Sequence, residues 1–196
     1  MTEPVAVNAA AIIPQYLEGV GDGTKIILKN GEAVIDRRAI RTIVNKIATY
    51  YAIDLVELRK SYGEFVGQKN IIPLPFTEMV VLVPFKMRTP RAKNDLTFGY
   101  FNLCEIKDIR KDRLRTGQSY IMLTSGIEVP IMHVHRTARN HIMQGERILE
   151  RFRQVHRLGD RNIAKMEAEL ADIGRMVRSM MPEFQASYTS DYRQSV

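Results

Sequence analysis

An antiparallel sheet domain with helices, followed by a C-terminal helical pair, is the α+β architecture this sequence predicts. Three observations predict it. After two helical stretches near the start, five or six β-prone runs follow with short connections instead of alternating with helices, the pattern of an antiparallel sheet. Two glycine turns, Asn30-Gly31 and Ser125-Gly126, separate β-prone runs and mark hairpins. From Arg136 onward apolar residues recur every three or four positions, so the last third is helical.

Residues 1–23 are small and weakly patterned up to Gly21-Asp22-Gly23, and read as a flexible N-terminal arm. Residues 24–158 form the α+β domain. "TKIILKNGEAVID" supplies two short strands about Asn30-Gly31, a pair that readily takes the positive φ angles of a tight turn. Asp36 is a candidate N-cap for a helix over 38–51, in which Ile40, Ile43, Val44, Ile47 and Tyr51 share one face. A second helix, roughly Leu55 to Phe65, ends near Gly67 and turns Arg59 and Lys60 outward. "NIIPLPF" carries two prolines and belongs at a sheet edge. "EMVVLVPF" has the β-branched density of a buried strand. "LTFGYFNLCEIKDI" reads as one long strand or two shorter ones, and "SYIMLTSGIEVPIMHV" as a hairpin about Ser125-Gly126.

In the helical third, Ala138, Ile142, Gly145, Leu149 and Phe152 mark one face, with Gly159 as C-cap. Asp160 opens a heptad-patterned helix over 160–181. Its Ile163, Met166, Leu170, Ile173, Val177 and Met180 form an a/d seam. So narrow a seam needs a partner, either a helix of the same chain in an antiparallel hairpin or a second copy in a homo-oligomer. Residues 182–196 are polar and read as a disordered tail.

Composition narrows the function. With 45% hydrophobic and 26% charged residues the chain has the apolar content of an ordinary globular protein, so most of it folds. No apolar run reaches the ~18 residues that cross a bilayer. The lone Cys104 cannot close an internal disulfide, and the N-terminus has no secretory pattern, so the chain reads as cytoplasmic. Cys104, inside "YFNLCEI", reads as a small packing residue rather than a nucleophile.

The net charge is +7, from 29 Lys and Arg against 22 Asp and Glu, which favours a polyanionic partner. That charge is concentrated: between Lys86 and Arg115 nine cations face four acids. "PFKMRTPRAK" holds Lys86, Arg88, Arg91 and Lys93 with no acid among them, and Lys107, Arg110, Lys111 and Arg113 follow on the next strand and turn. Arg136 and Arg139 open the first C-terminal helix. These ten side chains are the candidate contacts to double-stranded DNA, with the loop cations entering a minor groove. A helix-turn-helix over 38–66 is a weaker reading head, because its second helix mixes two cations with two glutamates.

Catalytic signals are missing. The sequence holds no phosphate-binding glycine loop, nucleophile elbow or zinc spacing, so it yields no catalytic residue, no metal ligand and no cofactor. His133 and His135 form an H-x-H pair with His141 six residues on. They read as helix-capping residues or as protonatable phosphate donors before they read as a metal site.

The middle of the chain resembles a known family. "YGEFVGQKNIIPLPFTEMVVLVPFKMRTP" and "YIMLTSGIEVPIMHVHRTARNHIM" are similar to the ComK-type competence transcription factors, over roughly residues 50–155. The shared pattern is a Tyr/Gly stretch leading to a basic residue, a proline-bearing strand, and an apolar strand ending in a Phe-Pro-like step. A small-residue–Gly turn, a proline and a polar helix follow. The resemblance implies an activator of transcription that binds pairs of AT-rich boxes through the minor groove as an oligomer. The helix at 38–51 and the extension from Asp160 depart from that pattern, so the mode of oligomerisation does not carry over. The alternative is a non-catalytic adaptor or scaffold whose C-terminal helix binds a protein partner.

Overall fold

The computed structural model describes the backbone of residues 3–19, 21–93, 95–112 and 116–191, and the side chains of 5–19, 21–93, 95–112, 116–157 and 165–179. A short helix, α1 (Glu3–Asn8), leads into three strands, β1 (Ala9–Leu17), β2 (Gly21–Leu28) and β3 (Ala33–Asp36), and then two helices, α2 (Ile40–Tyr50) and α3 (Leu55–Val66). Strands β4 (Leu74–Thr77), β5 (Val80–Lys86) and β6 (Phe98–Asn102) follow. A 3-10 turn at Leu103–Glu105 carries the chain to β7 (Ile106–Lys111), β8 (Ser119–Leu123) and β9 (Glu128–Ile131), and α4 (His135–Asp191) closes it.

Six strands form one sheet in the order β3-β2-β1-β6-β5-β4, and three form a second in the order β7-β8-β9. Every pairing in both is antiparallel, so the fold is the α+β class expected. The chain divides into two compact units, Met1–Phe152 and Arg153–Val196.

Both faces of the large sheet are covered along β1, β6, β5 and β4, whereas the edge strand β3 is largely exposed. Strand alternation sends Ile12, Ile26, Leu74, Val80 and Leu82 to one face, where Ile40, Ile43, Val44 and Ile47 of α2 and Leu55 of α3 complete a core. Ile27, Val83, Phe85 and Phe101 point to the other face and meet Ile121 and Leu123 of β8, Val129 and Ile131 of β9, and Ala138 of α4. The hairpin turns form where glycine allows them. Gly31 has φ 90° and Gly126 φ 85°, while Asn30 and Ser125 do not take positive φ, so the positive φ expected of the Asn30-Gly31 pair falls on the glycine alone; the Leu123 amide closes the second turn on the Ile127 carbonyl at 2.9 Å. Pro75 lies in the edge strand β4, where a missing amide costs least.

Four expectations are corrected. Residues 9–17 are no arm: β1 sits between β2 and β6, with Ala9, Ala10, Ala11 and Ile12 at 3% exposure or less. A register shift between Ala9 and Ala11 makes Ala10 the extra residue of a bulge, so Ala10 and Ala11 both face the second core while Ala9 and Ile12 face the first. Three alanines carry little β propensity, and it is burial between two cores that makes them a strand. Asp36 does not cap α2. It accepts from the backbone amide of Arg38 at 2.9 Å and from the Arg38 guanidinium, while Ala39 occupies the N-cap without a side-chain bond. Both C-terminal helical segments are present, but they run on as one element, α4, with Gly159 inside it. The tail read as disordered is helical in backbone to Asp191, and 192–196 lie outside the described residues.

Among the described residues no helix is long and apolar enough to cross a membrane. The start of α4 lies against the large sheet at Gly145, where a Cβ would come within 2.8 Å of a methyl of Val83. Val83 is fully buried and, being β-branched, cannot swing aside. Gly145→Ala gains about 1 kcal/mol of helix propensity in isolation. In this helix the overpacking, of order 1–3 kcal/mol, outweighs that gain, so the variant is expected to be less stable in urea unfolding. A more stable variant would show that α4 does not approach the sheet this closely.

Candidate nucleic-acid interface

The basic residues singled out in the sequence do not form one surface. The loop after β5 connects strands of the large sheet, whereas Lys107, Arg110 and Lys111 belong to β7 of the small one. The single charge window of the sequence is thus divided between two sheets.

In the loop, the first arginine has a structural role. Arg88 pairs through Nη2 with Asp22, donates through Nε to the Leu96 carbonyl at 3.0 Å, and lies 3.8 Å from the centre of the Tyr16 ring. Its side chain is 12% exposed. A guanidinium so covered, and engaged by a carboxylate, a carbonyl and an aromatic face, presents no open fork to a phosphate, so Arg88 is withdrawn as a DNA contact. The turn that follows is built on Asp95. Its carboxylate accepts from the Tyr16 hydroxyl and from the amides of Arg91 and Ala92, at 2.7 and 2.8 Å. The Tyr16 bond and then these amides hold the Asp95 carboxyl below its ordinary pKa. Arg91 is exposed and lies against the same ring, 4.3 Å from its centre. Lys93 is exposed and shares a surface hollow with Arg41 of α2, Asp22 and Asp95. Lys86 ends β5 half-buried, its carbonyl accepting from the Met132 amide at 2.7 Å.

The second group lies on β7 and the first turns of α4. These two elements border a groove of about 630 Å³, in which Lys107, Asp108 and Ile109 face His135, Arg139 and Glu146 over an apolar floor that includes Leu103 and Ile142. Lys107 and Arg139 therefore line one groove, which their separation in sequence hid. Lys111 and Arg136 stand exposed on the same two elements. None of these four makes an ion pair with a described residue. Arg110 is different: it bridges to Glu128 at 2.9 Å and to Asp108 at 3.9 Å, and is partly neutralised. Further along α4, Arg147 and Arg151 lie over the Phe65 ring of α3, at 5.8 and 5.7 Å. Arg113 lies outside the described residues.

The histidines separate. His133 stacks on His141 at 4.9 Å between ring centres, and Phe85 and Phe98 flank the pair. His135 lines the groove beside Arg139 instead. Burial, then His141, then Lys86 push His133 down to about 4, and burial lowers His141 as well. Neither is a cationic phosphate donor at neutral pH, contrary to the expectation. Among the described residues no group of three or more His, Cys, Asp or Glu stands where it would hold a metal ion. Cys104, half-buried in the 3-10 turn, donates its thiol to the Glu78 carbonyl at 3.7 Å.

Nothing in the sequence marked Tyr16, Asp22 and Asp95 as the frame of the basic loop. Tyr16 and Arg91 are 75 residues apart. The one available signal was Asp95 itself, four residues after Arg91 at the end of a cation run, where a carboxylate commonly receives turn amides.

Compared with known proteins, the chain matches no family model, no curated protein and no solved structure.

The neutral histidine pair sets a pH response. His133 binds its proton near pH 6.5 in the unfolded chain and only near 4 in the folded one, so between these values the unfolded state holds more protons. The stability that depends on neutral His133 is fully present above about pH 6.5 and is lost as pH drops towards 4. His133→Phe, which keeps the ring beside Phe85 and Phe98, is expected to flatten that decline in melting curves taken across the window. An equally steep decline would mean that other groups carry it.

Proposed function

We propose that the chain is a DNA-binding regulator of transcription that grips duplex phosphates with β7 and the start of α4, acting as an activator on AT-rich boxes as the ComK-type resemblance implies. The observation that carries the reading is the disposition of charge. Lys107, Lys111, Arg136 and Arg139 are exposed without ion-pair partners among the described residues, while Asp108 and Glu128 pair with Arg110 and Asp22 with Arg88. Beside them Asp108 is engaged by Arg110 while Glu146 makes no ion pair with a described residue, so the four cations still leave an excess of positive charge, which attracts a polyanion whose phosphates release counterions on meeting them. Arg91 and Lys93, on the loop held by Asp95, add a second contact region. Arg91 is pre-oriented by the Tyr16 ring, which lowers the entropy lost on binding.

Fluorescence anisotropy with AT-rich and GC-rich duplexes tests this. Replacing Lys107, Lys111, Arg136 and Arg139 by Ala is expected to weaken binding and to lower the slope of log K against log salt by about 0.9 for each phosphate no longer neutralised. Melting should change little, since exposed charges contribute roughly 0–1 kcal/mol each. An unchanged slope sinks the assignment.

A second reading, self-association or protein binding through the end of α4, is favoured by one observation. Met166, Leu170, Ile173 and Val177 of the heptad seam are 62, 64, 58 and 53% exposed, an apolar stripe with no cover among the described residues. The Ile163 and Met180 side chains lie outside the described residues. Charged residues flank the stripe, with Lys165 pairing to Glu169 and Arg175 to Asp172, as in a helix whose one dry face meets a partner. A homo-oligomer would present two copies of the basic surface to paired boxes. Leu170→Asp with Ile173→Asp is expected to give a folded monomer in sedimentation, with weakened binding to a two-box duplex and little loss on a single box. A wild-type chain that already sediments as a monomer rules out the oligomer.

A further inference from the structure

We propose that a groove between α2, α3 and the 95–100 segment is a binding site for a small amphiphilic anion, an apolar chain or ring carrying one carboxylate head. This goes beyond nucleic-acid binding, which makes no use of it. The groove encloses about 670 Å³, within the ~300–1,000 Å³ of small-molecule sites. Its floor is apolar, with Ile40, Val44, Leu55 and Ile72 buried and Leu96 and Tyr100 half-buried, while Asn45, Asn70 and Thr97 add neutral polar groups to the lining.

Three cations, Arg41, Arg59 and Lys69, border the same groove. Each is exposed, and none makes an ion pair with a described residue. The one acid in the lining is Asp95, and its carboxylate already accepts from Tyr16, Arg91 and Ala92. An aliphatic interior with a cationic rim complements a ligand that is apolar at one end and anionic at the other. A neutral apolar ligand leaves the rim unused, and a cationic one is repelled.

Two lip residues point the same way. Val56 is 71% and Ile71 45% exposed, apolar surface that an apolar ligand body would cover. Ile71 also holds φ 58°, a left-handed conformation that β-branched residues rarely adopt and that recurs at ligand clamps.

Decanoate tests the site, titrated into the full chain by calorimetry below its aggregation concentration, against decyltrimethylammonium with the same tail and the opposite head. Saturable one-to-one binding of decanoate is expected, at least tenfold tighter than the cation. Arg41→Glu with Arg59→Glu, both on exposed positions, should weaken decanoate at least tenfold. Ile71→Gly, which relieves the backbone and removes one lip, should weaken it several-fold in a chain that melts no lower. Glu32→Gln, on the exposed turn between β2 and β3 and outside the groove, should leave it unchanged. Equal binding of the two head groups, partition that never saturates, or decanoate affinity untouched by the groove variants would each overturn the proposal.

Discussion

The large sheet is apolar on both faces, and the rest of the chain is arranged to satisfy that. In β5 every residue from Val80 to Phe85 is buried, so neither face of that strand tolerates water. One layer of helices cannot cover such a sheet. The chain meets the demand with α2 and α3 on one side, and with the small sheet and the first turns of α4 on the other. The details follow from this double cover. The β1 bulge gives small alanines to the second core, and Gly145 lets α4 approach Val83 without a Cβ between them. Close-packed interiors leave little slack, so each of these small residues has a neighbour that depends on its size.

Double cover also decides where polar groups go. Strand ends and loops leave the sheet with carboxylates and cations that must be matched locally or left in water, and several of the carboxylates are matched. Asp22 holds Arg88, Asp36 holds Arg38, Glu105 faces Lys29 at 3.7 Å, and Asp95 is given to Tyr16 and two amides. What remains exposed and unpaired is weighted to the positive sign on β7 and the start of α4. The location of the excess, more than its size, sets the local field, since charge already neutralised by a partner adds little to it.

Elements with a local cause were legible in the sequence. The Asn30-Gly31 and Ser125-Gly126 turns, the α2 face of Ile40, Ile43, Val44 and Ile47, the Gly67 end of α3 and the edge position of Pro75 each rest on residues close in sequence, and each was found. β1 was not, because an alanine run has no strand signal of its own until a core closes on both sides of it. The candidate site was legible as a charge window but not as a surface. Arg88 and Arg91 look alike in "PFKMRTPRAK", yet Asp22, Leu96 and Tyr16 turn one into a brace and leave the other in solvent. The His133–His141 stack was hidden in the same way: H-x-H suggests a pair two residues apart, whereas the helical start of α4 brings the ring eight residues on against the first.

The basic loop and the apolar groove meet at two residues. Asp95 and Leu96 line the groove, and the same two fix the loop, Asp95 through the amides of Arg91 and Ala92 and Leu96 through its carbonyl to Arg88. An occupant of the groove would therefore touch the segment that sets where Arg91 and Lys93 stand. Such a ligand could alter polyanion affinity only to the extent that it binds two loop arrangements unequally. Linkage then requires the reverse effect: a polyanion that fixes the loop would change the groove's affinity by the same factor. If the bonds from Asp95 leave the loop a single arrangement, both factors are one and the two sites act independently.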